Sequence, residues 1–463
     1  MIGRKEELTQ LEKMYSSSKF EFLIMYGRRR IGKTTILQEF CKTHKSLFFS
    51  AQEKNDPLSL HDFSKLIQNY FDRGFIADFT NWEDAFDYVS RKAPEERFVL
   101  IIDEFPFIAE PNPAIKSILQ HKIDLSWKDK NIFLILCGSS VSFMENEVMG
   151  CKSPLYGRST GSIEIKPFDY LESSEFFPHY KNVDKLTSYG ILGGVPRYLN
   201  AFDSKKPVRE NIITKILENG TFLNDEPQFL LRMELREPVI YNSILQAVSN
   251  GCNKVSEISS RIHEDKSKCS KYLITLQTIR LLEKHVPAGE KTESKKGIYE
   301  ITDNFYKFWY RYVFSNQNYY GMLGSEKAAD EIMAEINDYM GPVFENICRQ
   351  YLVRLAKAGM LPFIPFTIGK WWGNNPVIKA QDDIDILCID KSGTKALFCE
   401  CKFRNKKMPV SEYDDLVRAV QAFPRIKEKH LMFFSKSGFT DEVVRRAEKE
   451  NTKLTGIDDL FNI

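Results

Sequence analysis

Short apolar runs rich in β-branched and aromatic residues recur through the first third of the chain. Phe20–Tyr26, Phe98–Ile102 and Ile132–Cys137 are continuous rather than alternating, as strands of a parallel sheet are when both faces are covered. Between them, 34–43 and 58–70 place apolar residues at helical spacing, so this segment predicts a doubly wound α/β layer. After Pro167 and Phe168 the strand signal fades, and Leu171–Glu218 predicts helices broken at Gly193, Gly194 and Pro196.

From about Pro238 the pattern predicts three short helices, Val239–Val248, Val255–Ile262 and Lys266–Thr278. Two short strands, Leu281–Val286 and Gly297–Ile301, follow around the polar loop 288–296, and the order describes a winged helix-turn-helix. The aromatic run Phe305–Tyr312 suits packing against neighbouring elements better than base stacking. A charged helix, Ser325–Tyr339, leads into a last segment with a helix over Pro342–Ala356 and a hairpin of Ile384–Asp390 and Lys395–Lys402, turned at Lys391, Ser392 and Gly393. The expected division is 1–167, an α/β core; 168–234, a helical lid; 235–310, the winged helix; 311–336, a linker helix; and 337–463, a C-terminal α/β domain.

Composition agrees with several packed domains. The 463 residues exceed the usual domain size of ~150, and 43% hydrophobic with 28% charged residues excludes a disordered chain. No apolar run approaches the ~18 residues of a membrane helix, and the charged start, with Arg4, Lys5, Glu6 and Glu7, is unlike a signal peptide. A cytoplasmic protein without a membrane partner is expected. The nine cysteines form no CxxC pair and the seven histidines no HExxH, so neither a disulfide framework nor a zinc site is signalled. A net charge of +2 gives no global field for nucleic acid, and a polyanion would bind through local patches.

Gly27-Arg28-Arg29-Arg30-Ile31-Gly32-Lys33-Thr34 directly follows an apolar strand and precedes a helical pattern. Glycines at this spacing let backbone N–H groups and a helix N-terminus approach phosphates. Lys33 would reach the β/γ-phosphates and Thr34 would hold Mg²⁺, which makes ATP with Mg²⁺ the expected cofactor; Thr35 continues the loop into the helix. Asp103 and Glu104 end the strand Phe98–Ile102. There Asp103 would bind Mg²⁺ through water and Glu104 would orient and deprotonate the attacking water. Ser139, after the strand Ile132–Cys137, is either a γ-phosphate sensor or part of a capped turn.

These motifs, with Gly3-Arg4, Leu155-Tyr-Gly-Arg158 and Gly193-Gly-Val-Pro196-Arg197, resemble the archaeal and bacterial ATPases of the AAA+/STAND superfamily over roughly residues 1–310. The resemblance implies that Gly3 and Arg4 lie near the adenine, that Arg158 is an arginine finger and that Pro196 and Arg197 sense nucleotide. Arg158 and Arg197 serve equally well as surface ion-pair partners. Whether Arg158 acts within its chain or across to a second copy in a homo-oligomer stays open.

At the C-terminus, Asp385 and Glu400-Cys401-Lys402 fall on consecutive strands, with Glu400 and Lys402 on one face and Cys399 and Cys401 on the other. Two carboxylates and a lysine suit metal-assisted phosphodiester cleavage, with Asp385 and Glu400 on the metal and Lys402 on water and phosphate. Glu345 could add a carboxylate, and Gln421 could orient a phosphate. The arrangement resembles PD-(D/E)XK nucleases, although Gln381-Asp382-Asp383-Ile384-Asp385 lacks the Pro-Asp pair, and 337–463 resembles the DUF234 domain that follows such ATPases. The expected fold is therefore α/β: a P-loop NTPase parallel sheet with helical lid, a winged helix-turn-helix and a C-terminal restriction-endonuclease-like domain.

Lys266, Lys268 and Lys271 begin the expected recognition helix and Lys291, Lys295 and Lys296 load the wing, diluted by Glu264, Asp265, Glu290 and Glu293. DNA contact and a purely inter-domain role are the two readings. The expectation for the whole chain is an ATP- and Mg²⁺-dependent ATPase whose nucleotide state moves a winged helix and a nuclease-like domain on DNA. The alternatives are a slow nucleotide switch with an inert nuclease fold, and a DNA-binding regulator.

Overall fold

The computed structural model describes residues 2–291, 294 and 296–462. The chain forms two compact units, Met1–Pro167 and Phe168–Ile463. In the first, strands β1 (Glu21–Tyr26), β2 (Ser46–Ser50), β3 (Phe98–Asp103), β4 (Ile132–Gly138) and β5 (Gly161–Glu164) form one parallel sheet in the order β2-β3-β4-β1-β5. Every residue of β3 and β4 is buried, because helices cover both faces of these central strands. Phe63, Trp82, Phe86 and Trp127 fill one hydrophobic core of this unit, packed against Leu100, Ile102 and Leu134 of the sheet. The sequence pattern missed β2 and β5, which sit at the two edges and are short or partly exposed.

That strand order positions the site. β4 lies between β1 and β3, so the residue after β4 stands between the loop leaving β1 and the acids leaving β3. All three strands run the same way, and their C-terminal ends open on one edge of the sheet, the usual ligand edge of such folds.

In the second unit, the helices Pro238–Ser249, Val255–Arg261 and Lys266–Thr278 precede the antiparallel pair β6 (Leu282–His285) and β7 (Ile298–Ile301). Asp265 caps the third helix, its carboxylate accepting from Ser267 N–H at 2.7 Å. Lys295 and Glu293 of the intervening loop lie outside the described residues. The aromatic run is core: Phe305, Tyr306, Phe308, Trp309 and Tyr310 are buried, and the Trp309 indole donates to Asn224 O at 2.9 Å.

The C-terminal sheet has five strands, β8 (Pro365–Asn375), β9 (Ala380–Asp390), β10 (Lys395–Lys402), β11 (Glu428–Ser435) and β12 (Lys453–Thr455), in the order β12-β11-β10-β9-β8. β8, β9 and β10 pair antiparallel, whereas β10, β11 and β12 pair parallel. The sequence hairpin is the β9–β10 pair. One expectation is corrected: 325–339 and 342–356 are not two helices but one, Ser325–Lys357, with Pro342 inside it. Proline removes one backbone bond, but buried Tyr339, Met340, Val343 and Phe344 hold the helix on both sides of it. The Tyr339 hydroxyl adds a bond to Gly190 O at 2.7 Å. The expected boundary at 336/337 therefore falls within a continuous helix.

Candidate functional site

The loop after β1 takes backbone shapes that its glycines allow. Gly27 has φ 150° and Gly32 φ 96°, and a Cβ on Gly27 would lie 2.4 Å from Ile165 O. Arg30, with φ 66°, takes the left-handed conformation without being glycine. The loop delivers Lys33 and Thr34 at the N-terminus of the helix Lys33–Cys41, where unpaired N–H groups favour an anion. Ile31 is buried, whereas Thr35 is exposed. Arg29 lies 5.9 Å from the centre of the Phe107 ring, and Arg28 supplies a backbone carbonyl to Lys33.

Lys33 is 4% exposed, and its ammonium donates to Gly27 O at 2.9 Å, Arg28 O at 3.0 Å and Ser139 Oγ at 2.8 Å. Burial pulls its pKa below the usual lysine value, against the opposing pull of Glu104 and Asp103. The Ser139 hydroxyl in turn donates to Glu104 Oε1, and Ser139 N–H donates to Glu104 Oε2 at 3.1 Å. Beside this chain, Thr34 Oγ1 donates to Asp103 Oδ2 at 2.8 Å. Loop, strand end and intervening serine are thus one hydrogen-bonded constellation.

A hydroxyl and a buried carboxylate beside a lysine-bearing phosphate loop form a donor set suited to Mg²⁺ with nucleotide phosphate. Asp103 is 1% exposed, so its charge is shielded from water and available to a cation. The residues therefore fit an ATP–Mg²⁺ complex.

Arg4 has φ 64° beside Gly3 at φ 62°. Its guanidinium donates to Ile31 O and to Glu7 Oε1, both at 3.0 Å, so it braces the phosphate loop from below. No local pattern in the sequence signals that brace. Arg158 is held by Asp124 through two parallel bonds, Nε to Oδ1 at 3.0 Å and Nη2 to Oδ2 at 2.7 Å, and also donates to Pro154 O at 2.9 Å. It thus takes the ion-pair arrangement of the two read from sequence. Pro196 and Arg197 belong to the second unit, where Arg197 lies 5.0 Å over the Phe222 ring.

The second unit gathers charge around β9 and β10. Cys401 N–H donates to Asp385 Oδ2 at 2.8 Å, which fixes that carboxylate against the strand carrying Glu400 and Lys402. Lys402 pairs with Glu400 and, at 3.3 Å, with Glu412. Lys370 on β8 pairs with Glu345 at 2.9 Å, Asp383 at 3.4 Å and Asp385 at 3.7 Å. Burial, reinforced by the Asp385 carboxylate, pushes Glu345 up to about 7 and Glu400 up to about 8. Burial pulls Lys370 and Lys402 down, but the carboxylates around them more than reverse it and raise both. Gln421 is exposed at the end of the helix Val410–Val420. Among the described residues no three acidic, His or Cys side chains gather closely enough to hold a metal ion. Lysines meet these acids instead, and Lys370 was not legible as a partner because it arrives from β8, 25 residues from Glu345.

A family model described as an ATPase domain predominantly from Archaea matches residues 1–202. A second, DUF234, described as archaeal and bacterial proteins of unknown function, matches residues 309–413. An uncharacterised protein of Methanocaldococcus jannaschii is 33% identical over 408 residues, 88% of each chain. An uncharacterised ATP-binding protein of the same organism is 43% identical over 44 residues, 10% of this chain and 75% of that one. Among solved structures, a Walker-type ATPase of Pyrococcus abyssi aligns with a TM-score of 0.52 at 19% identity, over 67% of this chain and 96% of that one. At that identity the likeness establishes the fold.

Proposed function

Because the chain belongs to the archaeal ATPases that carry a C-terminal DUF234 domain, we propose that it hydrolyses ATP with Mg²⁺ and uses the nucleotide state to reposition a winged helix and a nuclease-like domain on DNA. The observation that carries the ATPase chemistry is the unbroken chain from Lys33 through Ser139 to Glu104, beside the Thr34–Asp103 bond. Lys33 would exchange its carbonyl partners for phosphate oxygens. Thr34 and Asp103 would hold Mg²⁺, which when bound neutralises phosphate charge as a Lewis acid. Glu104 would accept the proton of the attacking water while Ser139 fixes its carboxylate. Arg4 would keep Ile31, and with it the loop, in place. The decisive experiment is ATP turnover by wild type against Lys33→Ala and Glu104→Gln; turnover unchanged in both variants would remove this site from the reaction.

The DNA part of the proposal is supported by the helix Lys266–Thr278, whose Lys266 and Lys271 are exposed while Cys269, Tyr272 and Leu273 face the core. A second reading, metal-dependent DNA cleavage, is favoured by the Asp385–Cys401 bond, which sets Asp385 beside Glu400 and Lys402. It is tested by incubating single-stranded, duplex and branched DNA with Mg²⁺ or Mn²⁺, with and without ATP. Cleavage lost in Lys402→Ala supports a nuclease. Intact ATP hydrolysis without cleavage on any substrate favours a switch or regulator with an inert nuclease fold.

A further inference from the structure

A cavity of about 610 Å³ opens in the second unit between the end of the helix Pro238–Ser249, β7, the aromatic stretch 305–320 and the helix Ser325–Lys357. Cavities of ~300–1,000 Å³ are the size that takes small organic ligands. Lys307 and Arg311 line it, four residues apart in the same stretch. Arg311 already has neighbours: Glu335 at 3.9 Å and the Tyr312 ring at 5.3 Å. Lys307 does not. Among the described residues its ammonium makes no hydrogen bond and no ion pair, and it lines the cavity. Burial pulls its pKa down, against the more distant pull of Glu300 and Glu345.

The acids of the cavity wall are arranged differently. Glu300 is 50% exposed and Glu335 61% exposed, and the third acid of the wall, Glu331, is exposed too and accepts from the Tyr319 hydroxyl at 2.8 Å, so water screens all three at the rim. The wall therefore presents one cation without a close counter-charge, and the rim presents hydrogen-bond acceptors. Tyr299, Tyr312 and Ile301 add flat and apolar wall between them. Lys307 is half-buried; an ammonium partly withdrawn from water without a close partner is unfavourable, and an anionic group of a ligand would supply the missing one.

We propose that this cavity is an effector site for a small ring-bearing organic anion, its carboxylate or phosphate on Lys307, its ring along the tyrosines and its N–H donors toward Glu300 and Glu335. Bound there, the anion ties β7 to the helix Ser325–Lys357 three residues before Glu345. It thereby links the winged-helix segment to the acidic cluster of the C-terminal sheet. The site is separate from the phosphate loop, which lies in the other unit.

The test uses the full chain and two probes, 4-aminobenzoate and 4-aminophenyl phosphate, with acetate and inorganic phosphate as ringless counterparts. Binding is followed by saturation-transfer NMR and calorimetry. Wild type is expected to bind at least one ringed probe more tightly than its ringless counterpart. Lys307→Met should weaken that probe at least tenfold, Lys307→Arg should retain it, and Lys33→Ala should leave it within about twofold. The Lys307→Met melting temperature should not fall, since a methionine of similar length replaces a half-buried charge that has no close partner; Lys307→Gln serves if that variant does not fold. Failure of both probes to bind wild type overturns the proposal, as does binding that Lys307→Met leaves intact or Lys33→Ala abolishes. Ringless anions binding as tightly as the ringed ones overturn the assignment of the ring.

Discussion

Ser139 joins Lys33 to Glu104: its hydroxyl accepts from the Lys33 ammonium at 2.8 Å and donates its own hydrogen to the Glu104 carboxylate. A single oxygen thus couples the group that would meet the nucleotide to the group that would activate water. Ser139→Ala should lower kcat by about ten- to a hundredfold, the size expected when a hydrogen bond between charged groups is lost. Ser139→Thr, which keeps the hydroxyl, should recover most of it. Steady-state ATPase assays check this, and a rate unaffected by the alanine would show that the contact does not position Glu104.

Glu104→Gln keeps the shape of the side chain but cannot accept the water proton. Turnover should fall by about 10²- to 10⁴-fold, the usual share of general-base catalysis, while ATP affinity stays near wild type. Filter binding of labelled ATP, followed in time, separates retention from hydrolysis. Lys33→Ala should instead lose binding.

The phosphate loop was legible because its chemistry is local: Gly27, Gly32, Lys33 and Thr34 meet backbone demands that only a few residue types satisfy. Asp103 and Glu104 were legible for a related reason, since they follow a fully apolar strand. What brings Ser139 between them is the insertion of β4 between β1 and β3, a matter of topology that leaves only a strand-end serine in the sequence. Arg4 bridges 27 residues to Ile31, and Lys370 bridges 25 to Glu345; neither spacing carries a periodic signature. The continuity of the long helix across Gly341-Pro342 is not legible in the sequence, because burial on both sides overrides the local propensity to break there.

Arg4→Ala tests the brace. It leaves the Ile31 carbonyl without its guanidinium donor in a region where Ile31 is fully buried. An unsatisfied buried acceptor costs about 1–3 kcal/mol, so the denaturation midpoint of the first unit should drop accordingly. Nucleotide affinity should fall with it as the loop loosens. A stability change without any effect on nucleotide binding would make Arg4 a purely structural residue.

The acidic cluster gives a pH signature. Glu400 is raised from 4.5 to about 8 and Glu345 to about 7, mainly by burial and then by Asp385. The folded state therefore holds protons that the unfolded chain releases near pH 4.5. Stability from these groups is present below that pH and is lost as pH rises toward 7–8. The slope is bounded by about 1.4 kcal/mol per pH unit for each proton. Urea midpoints measured from pH 5 to pH 8 in a chelating buffer should decline, and Glu400→Gln should flatten the decline. A flat wild-type profile would mean that Lys370 and Lys402 keep both acids ionised.

DNA binding through the helix Lys266–Thr278 can be resolved residue by residue. Lys268 already pairs with Glu264 at 3.1 Å, so its charge is partly spent, whereas Lys266 stands exposed in the first turn and Lys271 stands exposed on the face opposite Cys269 and Leu273. Each phosphate contact adds about 0.9 to the magnitude of the logarithmic salt slope. Lys266→Glu and Lys271→Glu should each reduce that slope by about one and weaken binding across all sequences, while Lys268→Ala should change both less. Fluorescence anisotropy on duplex DNA at several salt concentrations provides the slopes. The ordering is the informative part: a non-specific charge effect would rank all three lysines alike, whereas a docked helix with Lys268 tied to Glu264 must rank Lys268 last. Affinity and slope unchanged in all three variants would leave the helix as packing for its neighbours.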